Sequence, residues 1–350
     1  MSNRWLVIGG LVASLLGAEP ETLLENGHLK RAREAVDAYY RAHPQDARAN
    51  YLMSRVTSAF GDNDNALKYA ETAVKLDPRN GEYHRQLAGV YGDIGEKASL
   101  LKQFGLAKKC RAEIDAAVAL NPKDVENLDA QVNYYRVAPG IAGGDKNKAQ
   151  TVAEEMVKIN PSRGYLAEAS IARAEKDDAK AAALYRKAVD ADPRNYEALI
   201  SLTVYYMQES HKDLAQAERL ANDAIGANPD RISAYVLAVQ ILVKQNRSKE
   251  APALLAKAEA AIPDNLVPYL AAGRALLEQG SDLQTAETYI RKYLTQTPEP
   301  GWPPLAGAHW SLALLHEKRG DKPQARTELE TALRLKPDFE PAKRDLKRLK

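Results

Sequence analysis

The chain has 350 residues, 27% charged and 45% hydrophobic, with a formal net charge of +2. This balance excludes a strong overall pull toward nucleic acid or membrane. The single cysteine, Cys110, excludes an intramolecular disulfide framework and a multi-cysteine metal site. In chain order, Met1–Arg4 carries one basic residue, and Trp5–Ala18 follows with no charge at all. Gly17 and Ala18 then precede Glu19-Pro20. Residues 1–18 therefore read as a secretory signal, too short for a spanning helix. They predict export, with the periplasm as destination and no membrane span once the signal is cut. The alternative is an uncut segment that tethers the chain or supplies a first core helix.

Residues 47–80 are the most regular stretch. Leu52, Val56, Ala59 and Phe60 share one helical face, Gly61 stops that helix, and Asp62-Asn63-Asp64 starts the next. Ala66, Ala70, Ala73 and Val74 form the second stripe, and Asp77-Pro78 ends it. The pattern then recurs, with terminating prolines at Pro44, Pro78, Pro122, Pro161, Pro193, Pro229, Pro263, Pro298 and Pro337. Twelve residues before each stands a small residue: Ala32, Ala66, Cys110, Ala149, Ala181, Ala217, Ala251, Ala286 and Ala325. Small residues at that position let two helices approach closely.

The spacing of this comb, with Ala88, Tyr91, Gly95 and Pro122 in one unit and Leu312, Ala313, Gly320, Ala325, Leu329, Ala332 and Pro337 in another, resembles the tetratricopeptide repeat family. The resemblance implies an all-α fold: a right-handed α-solenoid of about nine helix pairs. The solenoid is expected over residues 19–337, with a C-terminal capping helix over 338–350. Three insertions break the period. Residues 96–106 predict an extended or additional helix, 137–144 (VAPGIAGG) a shaped loop, and 299–304 (EPGWPP) a bend or weak boundary before the last pair. The first two insertions are similar to those of a group of exported bacterial tetratricopeptide proteins.

Motifs for chemistry are missing from the sequence. The glycines at 140–144 do not meet the spacing of a phosphate-binding loop, and Asp145 stands where its second glycine belongs. The six histidines form no H-x-x-x-H pair, so His309 and His316 are expected in packing roles. Cys110 is expected to be an inert buried thiol, and Arg33 with Asp37 an ordinary i,i+4 pair. No catalytic residue, cofactor or metal is expected, and no nucleic-acid partner.

The resemblance places each unit's first helix on the inner, concave face. The inward positions are then Arg48, Tyr51, Arg55, Glu82, Arg85, Glu126, Asp129, Asn133 and Arg136 in the N-terminal half. In the C-terminal half they are Ile200, Val204, Met207, Val236, Gln240, Val243, Val267, Leu270, Arg274 and Leu277. The first set is charged and mixed, and the second more apolar. The basic clamp with which some family members hold acidic C-termini is not reproduced, since Gly89 follows Arg85 and Asp129 precedes Asn133. The expected function is a non-catalytic scaffold that holds a peptide or protein partner in its groove. The alternative is a structural subunit that assembles through its ends.

Overall fold

The computed structural model describes residues 19–349; the expected signal segment lies outside the described residues. All regular structure among those residues is helical. Nine pairs follow one another: α1 (Pro20–Asn26) with α2 (Leu29–Ala42), α3 (Ala47–Ala59) with α4 (Asn63–Leu76), α5 (Gly81–Lys97) with α6 (Leu100–Leu120), α7 (Val125–Val137) with α8 (Lys146–Ile159), α9 (Pro161–Ala174) with α10 (Asp178–Ala191), α11 (Tyr196–Met207) with α12 (Leu214–Ala227), α13 (Ile232–Lys244) with α14 (Ala251–Ala261), α15 (Val267–Gln279) with α16 (Leu283–Tyr293), and α17 (Leu305–Lys318) with α18 (Lys322–Leu335). A terminal α19 (Glu340–Arg348) lays Leu346 and Leu349 against the last pair, as a capping helix does.

Local chemistry accounts for the boundaries. Asp46, Asp62, Asp124, Asp177, Asp213 and Asp321 each turn a carboxylate oxygen onto a free backbone N–H of the helix that follows. Gly61 stops α3 with φ +80°, a conformation that glycine adopts without a Cβ clash. The recurrent small residues are where the helices of a pair cross: Ala32, Ala66, Ala149, Ala217, Ala251, Ala286 and Ala325 are all fully buried. Gly164 is tighter still. A Cβ there would sit 2.3 Å from the backbone nitrogen of Val157, so α9 and α8 meet almost backbone to backbone.

The insertions take definite forms. Residues 96–106 lengthen both helices of the third pair and add no new one. Residues 137–144 form a shaped loop that contains a single 3-10 turn at Gly140–Ala142. Residues 299–304 mark no boundary. One hydrophobic core runs from Ala169 to Leu315 across them, because Tyr293, Leu312 and Leu315 pack into the same cluster.

What the insertion at 299–304 does instead is receive the α1–α2 turn. One superhelical turn brings the α1–α2 turn back against the turns that link later pairs. Asn26 donates to Asp230 Oδ2 at 3.0 Å and accepts from Asn228 at 3.0 Å. His28, almost fully buried, lies 3.0 Å from Asp230 Oδ1 and 3.3 Å from Asp264 Oδ2. The backbone N–H of Lys30 donates to Glu299 Oε2 at 3.0 Å, and its ammonium to the carbonyls of Thr297 and Asp264 at 2.7 and 3.2 Å. A cleft of about 120 Å³ remains at this seam, lined by His28, Arg231, Asn265 and Trp302 among others.

Candidate functional site

The inner helices carry two different surfaces. In the N-terminal half, charged groups near their starts bridge one unit to the next. Arg48 meets Glu21 at 2.6 Å. The Tyr51 hydroxyl donates to Glu82 at 2.5 Å, and Arg85 donates to Asn127 at 2.8 Å. Arg163 meets Glu126 at 2.6 Å, and Arg231 continues the pattern into the C-terminal half by meeting Glu197 at 2.5 Å. Together these pairs form a ladder running along the stack. Asp129 lies beside it, its carboxyl raised above the usual range by burial and partly restored by Arg163. Arg136 donates to Asn133 at 2.5 Å. The predicted N-terminal positions are thus brought together, but much of their hydrogen-bonding capacity is spent within the stack.

The C-terminal half departs from the sequence reading. Val243 is fully buried, and Val267, Leu270 and Leu277 are nearly so. Except for Leu277 at its edge, these side chains belong to the core rather than the groove. The reason is geometric: adjacent first helices also pack on each other, and a hydrophobic position on an inner helix serves that contact first. Tyr51 is likewise buried, with only its hydroxyl committed to Glu82 and Arg55. Ile200, Met207, Val236 and Gln240 keep partial exposure, and Val204 is exposed.

Between α15 and α17 a cleft of about 600 Å³ opens. Its lining comes from these two inner helices alone, so it faces the concave side. Leu277, Trp310 and Leu314 make an apolar floor, and Glu278, Glu317 and Lys318 stand at the end toward the helix C-termini. Arg274 is part of the wall, not a free cation: it donates to Ser311 and to the Gly307 carbonyl, both at 2.8 Å. Burial holds its pKa below the ordinary arginine value. The Trp310 indole N–H is fixed by Asp345 of the capping helix at 2.8 Å. Sequence reasoning named Arg274 and Leu277 here but missed Trp310 and Leu314. The 39-residue step between the last two prolines carries Leu270, Arg274 and Leu277 to His309, Ala313 and His316, so the register passes one residue short of Trp310 and Leu314.

A tetratricopeptide repeat sequence profile matches residues 21–78 and 270–338, and a second such profile matches residues 162–195. The chain is a tetratricopeptide repeat protein. It is similar to a thermophilic TPR protein of Thermus thermophilus, at 18% identity and TM-score 0.48, over 54% of this chain and 96% of that one. It is also similar to a tetratricopeptide repeat protein of Parabacteroides merdae, at 14% identity and TM-score 0.44, over 87% of this chain and 98% of that one. A search of curated proteins finds no match.

Several further titratable groups of this TPR protein are engaged within the fold. His309 pairs with Glu328 at 2.6 Å, His84 with Glu113 at 2.6 Å, and His316 is buried. Among the described residues no group of three or more potential ligands is placed to hold a metal ion. Burial pushes the Cys110 thiol up to about 11, so its three basic sequence neighbours do not activate it. Arg33 stacks its guanidinium 4.6 Å from the Phe60 ring centre. His28 is the histidine whose position sequence reasoning did not find, because nothing local to residues 26–30 announces partners more than 200 residues away.

Proposed function

We propose that this TPR protein is a non-catalytic scaffold that holds an extended or helical segment of a partner along its concave face. The single observation that carries the reading is the cleft between α15 and α17, where Leu277, Trp310 and Leu314 form an apolar floor beside charged groups. A partner would seat a large apolar side chain there, and burying it is worth about 1.5–3 kcal/mol. Ile200, Met207 and Val204 continue the partly exposed apolar path toward the centre of the stack. The charged ladder of the N-terminal half would set the direction of the bound chain.

Export to the cell envelope is part of the proposal and rests on the pattern of residues 1–18. Mass measurement of the protein isolated from its native envelope fraction tests it, since retention of Met1 would refute cleavage. For the groove, affinity capture from that fraction is compared for the wild type and the double variant Leu314→Glu, Val204→Asp. The expected result is loss of captured partner with helical content unchanged. Equal capture by both would refute the apolar anchor. Assembly through the ends is the weaker reading, because the α1–α2 turn already packs on the chain's own later units.

A further inference from the structure

The loop of the second insertion packs on α6 just beyond the first insertion. The Tyr134 hydroxyl lies 3.1 Å from the Ala107 carbonyl on α6 and 2.6 Å from the Ala142 carbonyl in the 137–144 loop. Arg111 of α6 donates to the Gly143 carbonyl at 3.3 Å. Gly144 packs so closely that a Cβ would overlap the Ala138 carbonyl, which holds the loop in one shape. The loop is therefore fastened to α6 at Ala107 and Arg111, and together with the exposed start of that helix it forms a projection.

Its surface is unlike the rest of the chain. Leu101 is 92% exposed, Leu100 and Ile141 are each 84%, and Val137 is 63%. No other large hydrophobic side chain among the described residues exceeds Leu335 at 50%. Side chains so exposed touch almost nothing of their own fold, so they stand on a convex tip and line no groove. Phe104 joins them, with the Lys108 ammonium 4.6 Å from its ring centre. The charge is one-sided as well. From Lys97 to Arg111 there are five cations, Lys97, Lys102, Lys108, Lys109 and Arg111, and no acid, whereas residues 137–144 carry no charge. Among the described residues only Arg111 of these five has a carboxylate within ion-pair distance, Asp115 at 3.4 Å.

We propose that this projection docks the protein on an anionic lipid surface. Leu100, Leu101 and Ile141 would enter the boundary between headgroups and acyl chains, and the lysines would lie against the lipid phosphates. A convex apolar tip flanked by four lysines without a carboxylate partner suits a deformable anionic medium, whereas a protein partner would have to supply a matching concavity. The projection is built from inter-helix turns and the outer helix α6, so docking leaves the concave face open to a partner. The net charge of +2 conceals it, because the cations are concentrated on one edge.

The test is cosedimentation of the full chain with vesicles of phosphatidylglycerol and phosphatidylcholine at 1:1, and with phosphatidylcholine alone. Because Trp5–Leu16 are also apolar, the readout is the difference between the wild type and variants. The double variants Leu101→Asp, Ile141→Asp and Lys102→Glu, Lys108→Glu are each expected to bind anionic vesicles at least about tenfold more weakly. The lysine variant should also lose the salt sensitivity of binding. None of these side chains is buried, so helical content should not change. Equal binding of wild type and both variants would overturn the proposal, as would equal affinity for neutral and anionic vesicles. So would self-association of the wild type that is lost in Leu101→Asp without any lipid dependence, which would assign the tip to a second copy of the chain.

Discussion

Replacing His28 by alanine should release the α1–α2 turn from the later units on which it docks, while the first pair stays packed on α3. In the folded chain the imidazole is almost fully buried between Asp264, itself largely buried, and the half-exposed Asp230. Neither Asp264 carboxylate oxygen has a hydrogen-bond partner among the described residues, nor does Glu299 Oε1. Removing the imidazole leaves the largely buried Asp264 with the half-exposed Arg31, 4.0 Å away, as its remaining counter-charge. Breaking such a pair costs about 3–5 kcal/mol when both members are fully buried. With Asp230 partly solvated, about 2–3 kcal/mol is the reasonable figure here.

The pH dependence has a definite sign. Contact with Asp264 raises the pKa of His28 above 6.5, so its contribution is complete below that value and is lost as pH rises through the folded pKa. Burial raises Glu299 above 4.5, so the cost of ionising it in the seam also grows as pH rises. Burial alone would raise Asp264 too, but facing His28 brings it below 3.8. Its contribution is therefore present above 3.8 and is lost only as pH falls through that depressed value. Docking of the first pair should be tightest between about pH 4 and 6.5 and weaker at pH 8. Amide hydrogen exchange over residues 20–42, corrected for intrinsic rate, reads this directly. The wild type should show greater protection at pH 5.5 than at pH 8, and His28→Ala should be low at both. Equal protection for the two proteins across this range would refute the reasoning.

Two further outcomes follow from packing. Gly164→Ala places a methyl 2.3 Å from the Val157 backbone nitrogen, where no side-chain movement can relieve it. Despite alanine's better helix propensity, it should destabilise by about 2–4 kcal/mol, measured by urea unfolding; a neutral effect would mean that α8 and α9 separate easily. Cys110, with its thiol pushed up to about 11, should react with iodoacetamide at pH 8 at least about tenfold more slowly than a free thiol, until the protein is unfolded.

The repeat architecture was legible because its determinants are local. Proline ends a helix wherever it falls, an Asx side chain caps the next one, and a small residue marks a crossing. Ala32 through Ala325 can therefore be read off at fixed distances from the prolines. Assigning Val243, Val267 and Leu270 to a groove failed for a physical reason. The repeat register tells which face of an inner helix looks inward, but not how much of that face the neighbouring helix covers. The seam at His28 was illegible because it depends on superhelical pitch, the sum of small rotations over many units. Its residues, Asn26, His28, Asp230 and Asp264, look in the sequence like ordinary polar turn residues.

That seam also changes when the protein can be complete. A linear array matures as it is made, each unit finding its neighbour at once. Here the partners of residues 26–30 lie 202 to 269 positions later in the chain. At about 5–20 residues per second of synthesis, roughly 10–50 s pass between the appearance of the α1–α2 turn and that of its last docking surface. During that interval the first pair is held by α3 and α4 alone, with His28 and Lys30 still facing water. A lesion in the turn at Asp264 would therefore be felt first at the opposite end of the chain.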